Sequence, residues 1–97
     1  GPPCVLLGPE EVVFHAPGSV RLDLAPGDVV SLFPMVPVTG RSEGLKWPID
    51  GLNLSPVGRV GTSNRALGPV RIEVDGAGLL VIVPRRALDA VIAGLTG

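Results

Sequence analysis

The chain is 97 residues long, carries a formal net charge of −1, and is 45% hydrophobic, with one Trp, two Phe and no Tyr. This length predicts a single domain with an aliphatic core. Fourteen Gly and eleven Pro exclude a helical bundle, and the apolar content excludes a disordered chain, which leaves short strands joined by turns.

The charged residues offer no surface for a polyanion. Eight basic and nine acidic residues are scattered along the chain, so no basic stripe is available for nucleic acid. The longest apolar runs, at residues 29–33 and 79–83, are too short to cross a bilayer, and the N-terminus lacks the pattern of a signal peptide. A lone Cys4, which we expect to be small and buried, fits a reducing compartment. We therefore predict a cytoplasmic protein that binds neither nucleic acid nor membrane.

The N-terminal half of the sequence predicts short strands separated by Gly/Pro turns. Residues 4–7 and 11–15 form a hairpin or a tight connection around a Gly-Pro-Glu turn. Residues 20–24 alternate apolar and charged side chains, which is typical of a strand with one wet face. Residues 29–33 are predicted to form a buried strand. The prolines that follow, Pro34 and Pro37, prevent the chain from continuing as a central strand of the sheet.

The only Trp lies in the next apolar segment. Leu45, Trp47 and Ile49 occupy alternate positions, so an extended segment would place all three on one face. Residues 59–64 are rich in Gly, which indicates a backbone that is bent or closely approached.

The C-terminal third predicts a hairpin followed by a helix. Residues 70–74 alternate strictly, residues 75–78 form a turn, and residues 79–83 return as the second antiparallel strand. Beyond Pro84, four apolar side chains fall on one helical face: Leu88, Val91, Ile92 and Leu95. The fold class is therefore all-β, a β-sandwich or flattened barrel of roughly eight to ten short antiparallel strands to about residue 83, with one C-terminal helix at about 85–95.

No residue pattern predicts catalysis or metal binding. The only His, His15, lies in a strand among apolar residues and is expected to be structural or solvent-facing. The acidic residues, among them Asp28, lie mostly at turns or outward strand positions, where we expect solvated charges. Residues 58–64 are Gly-rich, but Gly68-Pro69 follows before any helical pattern, so they form no phosphate-binding loop. We predict no catalytic residue and no metal site in this chain.

A ligand site is predicted from Trp47 and the run Thr62-Ser63-Asn64. A large flat apolar ring near small hydroxyl and amide groups suits a small heteroaromatic ligand, which would stack on the ring and be read at its edge. Two plainer explanations stand beside this one. Trp47 is equally consistent with a core aromatic residue, and Ser63 and Asn64 are both common in turns, where they bond their own backbone.

The same residues carry a resemblance to a known family. Gly44-Leu45-Lys46-Trp47-Pro48-Ile49, followed after a Gly-containing loop by Gly61-Thr62-Ser63-Asn64, resembles the C-terminal, thiamin-binding domain of thiamin pyrophosphokinase. Residues 29–34, Val-Val-Ser-Leu-Phe-Pro, and residues 78–82, Gly-Leu-Leu-Val-Ile, are similar to two of its strands. The paired Gly-Leu-Lys-Trp and Thr-Ser-Asn motifs are the most specific part of the resemblance.

The resemblance implies a two-domain enzyme that transfers pyrophosphate from ATP to the hydroxyethyl group of thiamin, with Mg²⁺. It implies that an N-terminal α/β domain binds ATP and the metal, whereas the C-terminal β domain completes the thiamin pocket and builds a homodimer. The sequence matches only the second of these domains. We therefore expect residues 1–97 to form one thiamin-binding domain without catalytic activity or a cofactor of its own.

The resemblance also implies roles for individual residues. Trp47 would stack on thiamin, with a cation–π contribution from the thiazolium, and Ser63 would hydrogen-bond the aminopyrimidine edge. Thr62 and Asn64 would assist Ser63, and Lys46 would point away from the cationic ligand. Two alternatives remain open: a non-catalytic β-sandwich module for interaction or oligomerisation, and a thiamin sensor that binds without turnover.

Overall fold

The computed structural model describes residues 5–56 and 63–96 and shows one curled, mostly antiparallel sheet with a single C-terminal helix. This confirms the predicted fold class. The strands are β1 Val5–Leu7, β2 Glu11–His15, β3 Ser19–Leu22, β4 Val29–Pro34, β5 Gly40–Leu45, β6 Ser63–Val74 and β7 Leu79–Pro84. A 3₁₀ turn at Arg85–Ala87 leads into helix α1, Leu88–Thr96.

Strand β6 connects the two halves of the sheet. Its 12 residues pair with β5 along one edge, and with β4 and then β3 along the other. The start of β6 therefore belongs to the half built from β1, β2, β7 and β4, and its end belongs to the half built from β3 and β5. The long twisted strand curls the sheet into a half-barrel around one core, which is aliphatic apart from Phe14.

Gly68 and Pro69 lie inside β6, so a strand rather than a helix continues the chain beyond Asn64, as the sequence predicts. The register of β5 shifts between Glu43 and Leu45, opposite this part of β6. Proline has no N–H to donate to the ladder, and the irregular register falls where that donor is missing. The described residues contain seven strands; roughly eight to ten were predicted for the whole chain.

The predicted hairpin between residues 70–74 and 79–83 is wrong. Strand β7 does not pair with β6 but lies between β2 and β4. The C-terminal half of β6 already has β3 on one edge and β5 on the other, so no edge is free for β7. The hairpin of β1 and β2, in contrast, forms as predicted.

Helix α1 packs against β3. Val91 is fully buried and Leu88 and Leu95 are half-buried, but Ile92 is exposed. The predicted helix is therefore confirmed, but its buried side is narrower than the predicted apolar face. Only the flank that faces β3 is covered. Within residues 5–56 and 63–96, no helix is long and apolar enough to span a membrane.

Asp28 is buried, with 3% of its surface exposed, so the expectation of a solvated carboxylate is wrong for this residue. Its Oδ2 accepts a hydrogen bond from the Ala25 N–H at 3.0 Å, and its Oδ1 pairs with the Arg86 guanidinium. A buried carboxylate is tolerated only with partners of this kind. Through Arg86, Asp28 ties the turn before β4 to the 3₁₀ turn that precedes α1.

Candidate functional site

Trp47 lies just beyond the end of β5, with 54% of its surface exposed. The strand ends at Leu45 and the chain then bends, so Leu45 and Ile49 turn inward and Trp47 turns outward. The prediction that these three side chains share one face is wrong, because it required an extended segment. The exposure of the indole also excludes the explanation of Trp47 as a core aromatic residue.

The side chain of Asn64 holds the main chain of Trp47. Its Oδ1 accepts a hydrogen bond from the Trp47 N–H at 3.1 Å, and its Nδ2 donates to the Trp47 carbonyl at 2.6 Å. The same Oδ1 accepts from the Arg65 N–H at 2.9 Å. Only 5% of Asn64 is exposed, and an amide at such a depth must be paired. The two motifs of the sequence therefore meet at the contact between Asn64 and Trp47.

Gly44 makes this meeting possible. It has a positive φ of +83°, and a Cβ built there would collide with the carbonyl oxygen of Pro69. Only glycine adopts this backbone without strain while letting the neighbouring strand approach so closely. Beyond the register shift at Gly44, the Lys46 N–H donates to the Arg65 carbonyl at 2.8 Å. This bond holds the chain beside β6 up to Trp47.

Ser63 is the first residue of β6 and is exposed. It pairs with Ser31 of β4, and its side chain lies on the opposite face of β6 from Asn64, because successive side chains of a strand alternate. Thr62 lies outside the described residues. The structure thus joins Trp47 directly to Asn64 and places Ser63 one residue away on the outward face.

Lys46 lies over the ring of its neighbour. Its Nζ is 4.8 Å from the centroid of the Trp47 ring, within the range of a cation–π contact. Neither this contact nor the roles of Gly44 and Asn64 as supports of Trp47 was predicted from the sequence. The alternation along β6 was the available signal for Asn64, since it places that amide on the buried side between Ser63 and Arg65.

His15 bonds to the turn that precedes β7. His15 is exposed on β2, and its Nε2 accepts a hydrogen bond from the Gly78 N–H at 2.8 Å, which confirms the prediction of a structural or solvent-facing histidine. Across residues 5–56 and 63–96, no group of three or more His, Cys, Asp or Glu side chains is placed to hold a metal ion.

A groove of about 450 Å³ lies between β3 and α1, in the other half of the sheet from Asn64. Arg21 and Arg71, which face each other across β3 and β6, contribute positive charge to it. Each guanidinium is near an acidic side chain, Asp23 at 3.5 Å and Glu73 at 3.7 Å respectively. These charges compensate one another, and the groove offers no aromatic surface to a ring.

Two solved structures have the same fold. The crystal structure of thiamin pyrophosphokinase from Geobacillus thermodenitrificans matches with a TM-score of 0.66 and 16% identity, over 82% of this chain and 39% of that chain. The crystal structure of thiamine pyrophosphokinase from Bacillus subtilis matches with a TM-score of 0.66 and 14% identity, over 84% of this chain and 41% of that chain. The chain thus spans about two fifths of the length of these two proteins.

The sequence itself identifies the family. No curated protein matches this chain. The family model described as the thiamin pyrophosphokinase, vitamin B1 binding domain, matches residues 19–79, which is more than half of the 97 residues. The matched segment contains Gly44, Trp47 and Asn64. These residues lie where the chain leaves β5 and meets the start of β6, a place that we call the corner. The chain therefore belongs to the family of thiamin pyrophosphokinase vitamin B1-binding domains.

Proposed function

We propose that this domain binds thiamin at the corner formed by Trp47 and the start of β6, and that it forms a homodimer. In a protein that also carries an ATP site, the domain would serve the transfer of pyrophosphate from ATP to thiamin, which yields thiamin diphosphate. Membership of the vitamin B1-binding family supports thiamin as the ligand. ATP and Mg²⁺ would bind outside this chain.

The observation that carries the proposal is an exposed indole on a fixed main chain. The N–H and the carbonyl of Trp47 are both bonded to Asn64, yet 54% of the residue is open to solvent. A large ring whose backbone is already ordered loses little further entropy when a flat ligand stacks on it. This arrangement suits recognition of a ring rather than packing of a core.

The two polar residues of the corner take different roles. Ser63 is exposed, and its hydroxyl can both donate to and accept from the edge of an aminopyrimidine. The amide oxygen and nitrogen of Asn64 are already bonded to main-chain groups, so we assign Asn64 to holding Trp47 rather than to reading the ligand. Thr62 stays a predicted ligand contact.

Calorimetric titration of thiamin into the 97-residue chain tests the ligand. We expect saturable binding, and we expect Ser63→Ala to weaken it about tenfold, because one hydrogen bond to the ring edge is lost. Ser63→Ala should leave the Tm unchanged, since Ser63 is exposed. Ser19→Ala, which alters an exposed serine on β3, is the matched control and should bind thiamin normally. Equal affinity of the Ser63 and Ser19 variants would contradict the role of Ser63.

Turnover separates an enzyme from a sensor. In a protein that joins this domain to an ATP-binding domain, an enzyme forms thiamin diphosphate from ATP and thiamin, whereas a sensor binds thiamin and leaves it unchanged. Our proposal predicts product formation that requires both Mg²⁺ and an intact Trp47.

The outward face of β1, β2, β7 and β4 supports the homodimer. The strand registers place Leu6, Val13 and Ile82 in one row that continues to Ser31 and Ser63. Leu6 is 64% exposed, while Val13 and Ile82 are half-buried. An antiparallel sheet normally turns a polar face to water, so an apolar row of this length indicates a covered surface.

The other half of the sheet shows the contrast. Most outward residues of β3, of β5 and of the end of β6 are charged, and Arg41 and Arg71 both pair with Glu73 there. A charged surface of this kind is stable in water without a partner. We therefore assign the apolar face to a second copy of the chain, in which the same row would be self-complementary.

Sedimentation of the unmodified chain at micromolar concentration should show a dimer, and Val13→Lys should convert it to a folded monomer. The added lysine would be desolvated without a partner at the centre of the apolar row. Glu43→Lys, which changes a residue on the charged half, is the control and should stay dimeric. A monomeric unmodified chain, or a dimer that survives Val13→Lys, would contradict the assignment.

A further inference from the structure

We infer that Lys46 is a specificity-determining residue: its ammonium makes the Trp47 surface accept a neutral ring in preference to a cationic one. This inference rests on the proposed function and deepens it, because it states which part of a two-ring ligand the indole favours.

The contact joins two residues whose main chains are both fixed to β6. The Lys46 N–H donates to the Arg65 carbonyl at 2.8 Å, and the Trp47 main chain is held by Asn64. The Lys46 Nζ then lies 4.8 Å from the centroid of the Trp47 ring. Among the described residues, Lys46 belongs to none of the ion pairs, and the indole is the group that its ammonium faces.

The two rings of thiamin differ in charge, so they interact differently with the Lys46 ammonium. The aminopyrimidine is neutral, whereas the thiazolium is a permanent cation. A cation that stacks on Trp47 lies near the Lys46 ammonium, and the two like charges repel each other. A neutral ring meets no such repulsion. Repulsion between two exposed unit charges at this separation corresponds to about a two- to fivefold difference in affinity.

The ligand-independent test uses the emission of Trp47, which is the only Trp in a chain without Tyr. A neighbouring ammonium attracts iodide and repels caesium, so iodide should quench Trp47 more strongly than caesium does. Lys46→Met keeps most of the apolar stem and removes the charge. We expect it to lower the ratio of the iodide to the caesium quenching constant at least about twofold.

Arg21→Met is the matched control, because it removes the same charge on β3. Arg21 pairs with Arg71, which is seven residues along β6 from Asn64 and hence about 20 Å away. This variant should leave the ratio unchanged. A ratio that does not respond to Lys46→Met, or that responds equally to Arg21→Met, would overturn the inference.

Two fragments of thiamin test the preference itself. The probes are 4-amino-5-hydroxymethyl-2-methylpyrimidine, which is neutral, and 3,4-dimethyl-5-(2-hydroxyethyl)thiazolium, which is cationic. Lys46→Met should tighten binding of the thiazolium about two- to fivefold and change the affinity for the pyrimidine much less. Lys46→Arg, which keeps the charge, should preserve the preference of the unmodified chain.

The outcomes distinguish this inference from the proposed function. If the pyrimidine or thiamin binds but Lys46→Met changes neither fragment, or tightens both equally, the inference fails and thiamin binding stands. If thiamin and both fragments fail to bind every variant, the proposed function fails and the specificity role falls with it.

Discussion

Replacing Gly44 with alanine is expected to destabilise the domain by about 3 kcal/mol or more, which corresponds to a fall in Tm of about 12 °C or more. Two costs add at this position. The φ of +83° is unfavourable for any residue with a Cβ, and the added Cβ would collide with the carbonyl oxygen of Pro69 on β6. The colliding partner is main chain rather than the end of a flexible side chain, so it cannot move aside cheaply. Thermal and denaturant unfolding measure the loss.

Gly51→Ala separates the two costs. Gly51 has a similar φ of +77°, but no atom lies within 4 Å of the position where its Cβ would be. It should therefore lose only the backbone term, about 1–2 kcal/mol. Equal losses for Gly44→Ala and Gly51→Ala would show that β5 and β6 do not approach as closely as the structure indicates.

Trp47→Ala is expected to weaken thiamin binding by a factor of about 30 or more, because truncation of a stacking Trp at the centre of a site typically costs about 2 kcal/mol or more. The same change should lower the free energy of unfolding by less than about 1 kcal/mol, since more than half of the residue is already exposed. Calorimetry measures the first effect and denaturant unfolding the second. A variant that loses stability but keeps its affinity would place Trp47 among the structural residues.

Asn64→Ala is the informative comparison for Trp47→Ala. It leaves the indole in place but removes the partner of the Trp47 N–H and carbonyl, so it should lower both the affinity and the stability, the latter by about 2 kcal/mol. Asn64→Asp keeps an acceptor for the Trp47 N–H and loses the donor to the carbonyl. Its affinity and stability should therefore lie between those of Asn64→Ala and those of the unmodified chain. If Asn64→Ala changes binding without changing stability, Asn64 touches the ligand instead.

Much of the fold was predictable because its strands show local patterns. Residues 20–24 were placed as a strand from alternation, residues 11–15 and 79–83 as apolar runs next to turn residues, and β1 with β2 as a hairpin or a tight connection. Pairing between distant strands leaves no such local trace. The insertion of β7 between β2 and β4 is decided by which edges β6 has free, and no single segment of sequence contains that information.

The residues of the candidate site were named from the sequence, but their geometry could not be predicted from it. The motifs pointed to Trp47, Ser63 and Asn64, and the family match covers all three. The direction of Trp47 follows the register shift at Gly44, and Pro69, which has no N–H to donate to the ladder, lies opposite that shift on the neighbouring strand. Asn64 was expected to face the ligand, and we now propose that it supports Trp47, because a buried amide must satisfy its hydrogen bonds with whatever backbone lies nearest.

The most direct test of the central claim is a two-dimensional ¹H–¹⁵N NMR titration of the 97-residue chain with thiamin. The single Trp gives a single indole N–H signal, and the side-chain amide of Asn64 can be observed beside it. We expect thiamin to shift the Trp47 indole signal and the Ser63 backbone signal along one saturable curve, while the signals of Arg21 and Arg71 in the groove against α1 stay in place. An indole signal that does not move at saturating thiamin, or shifts confined to the groove residues, would contradict the account.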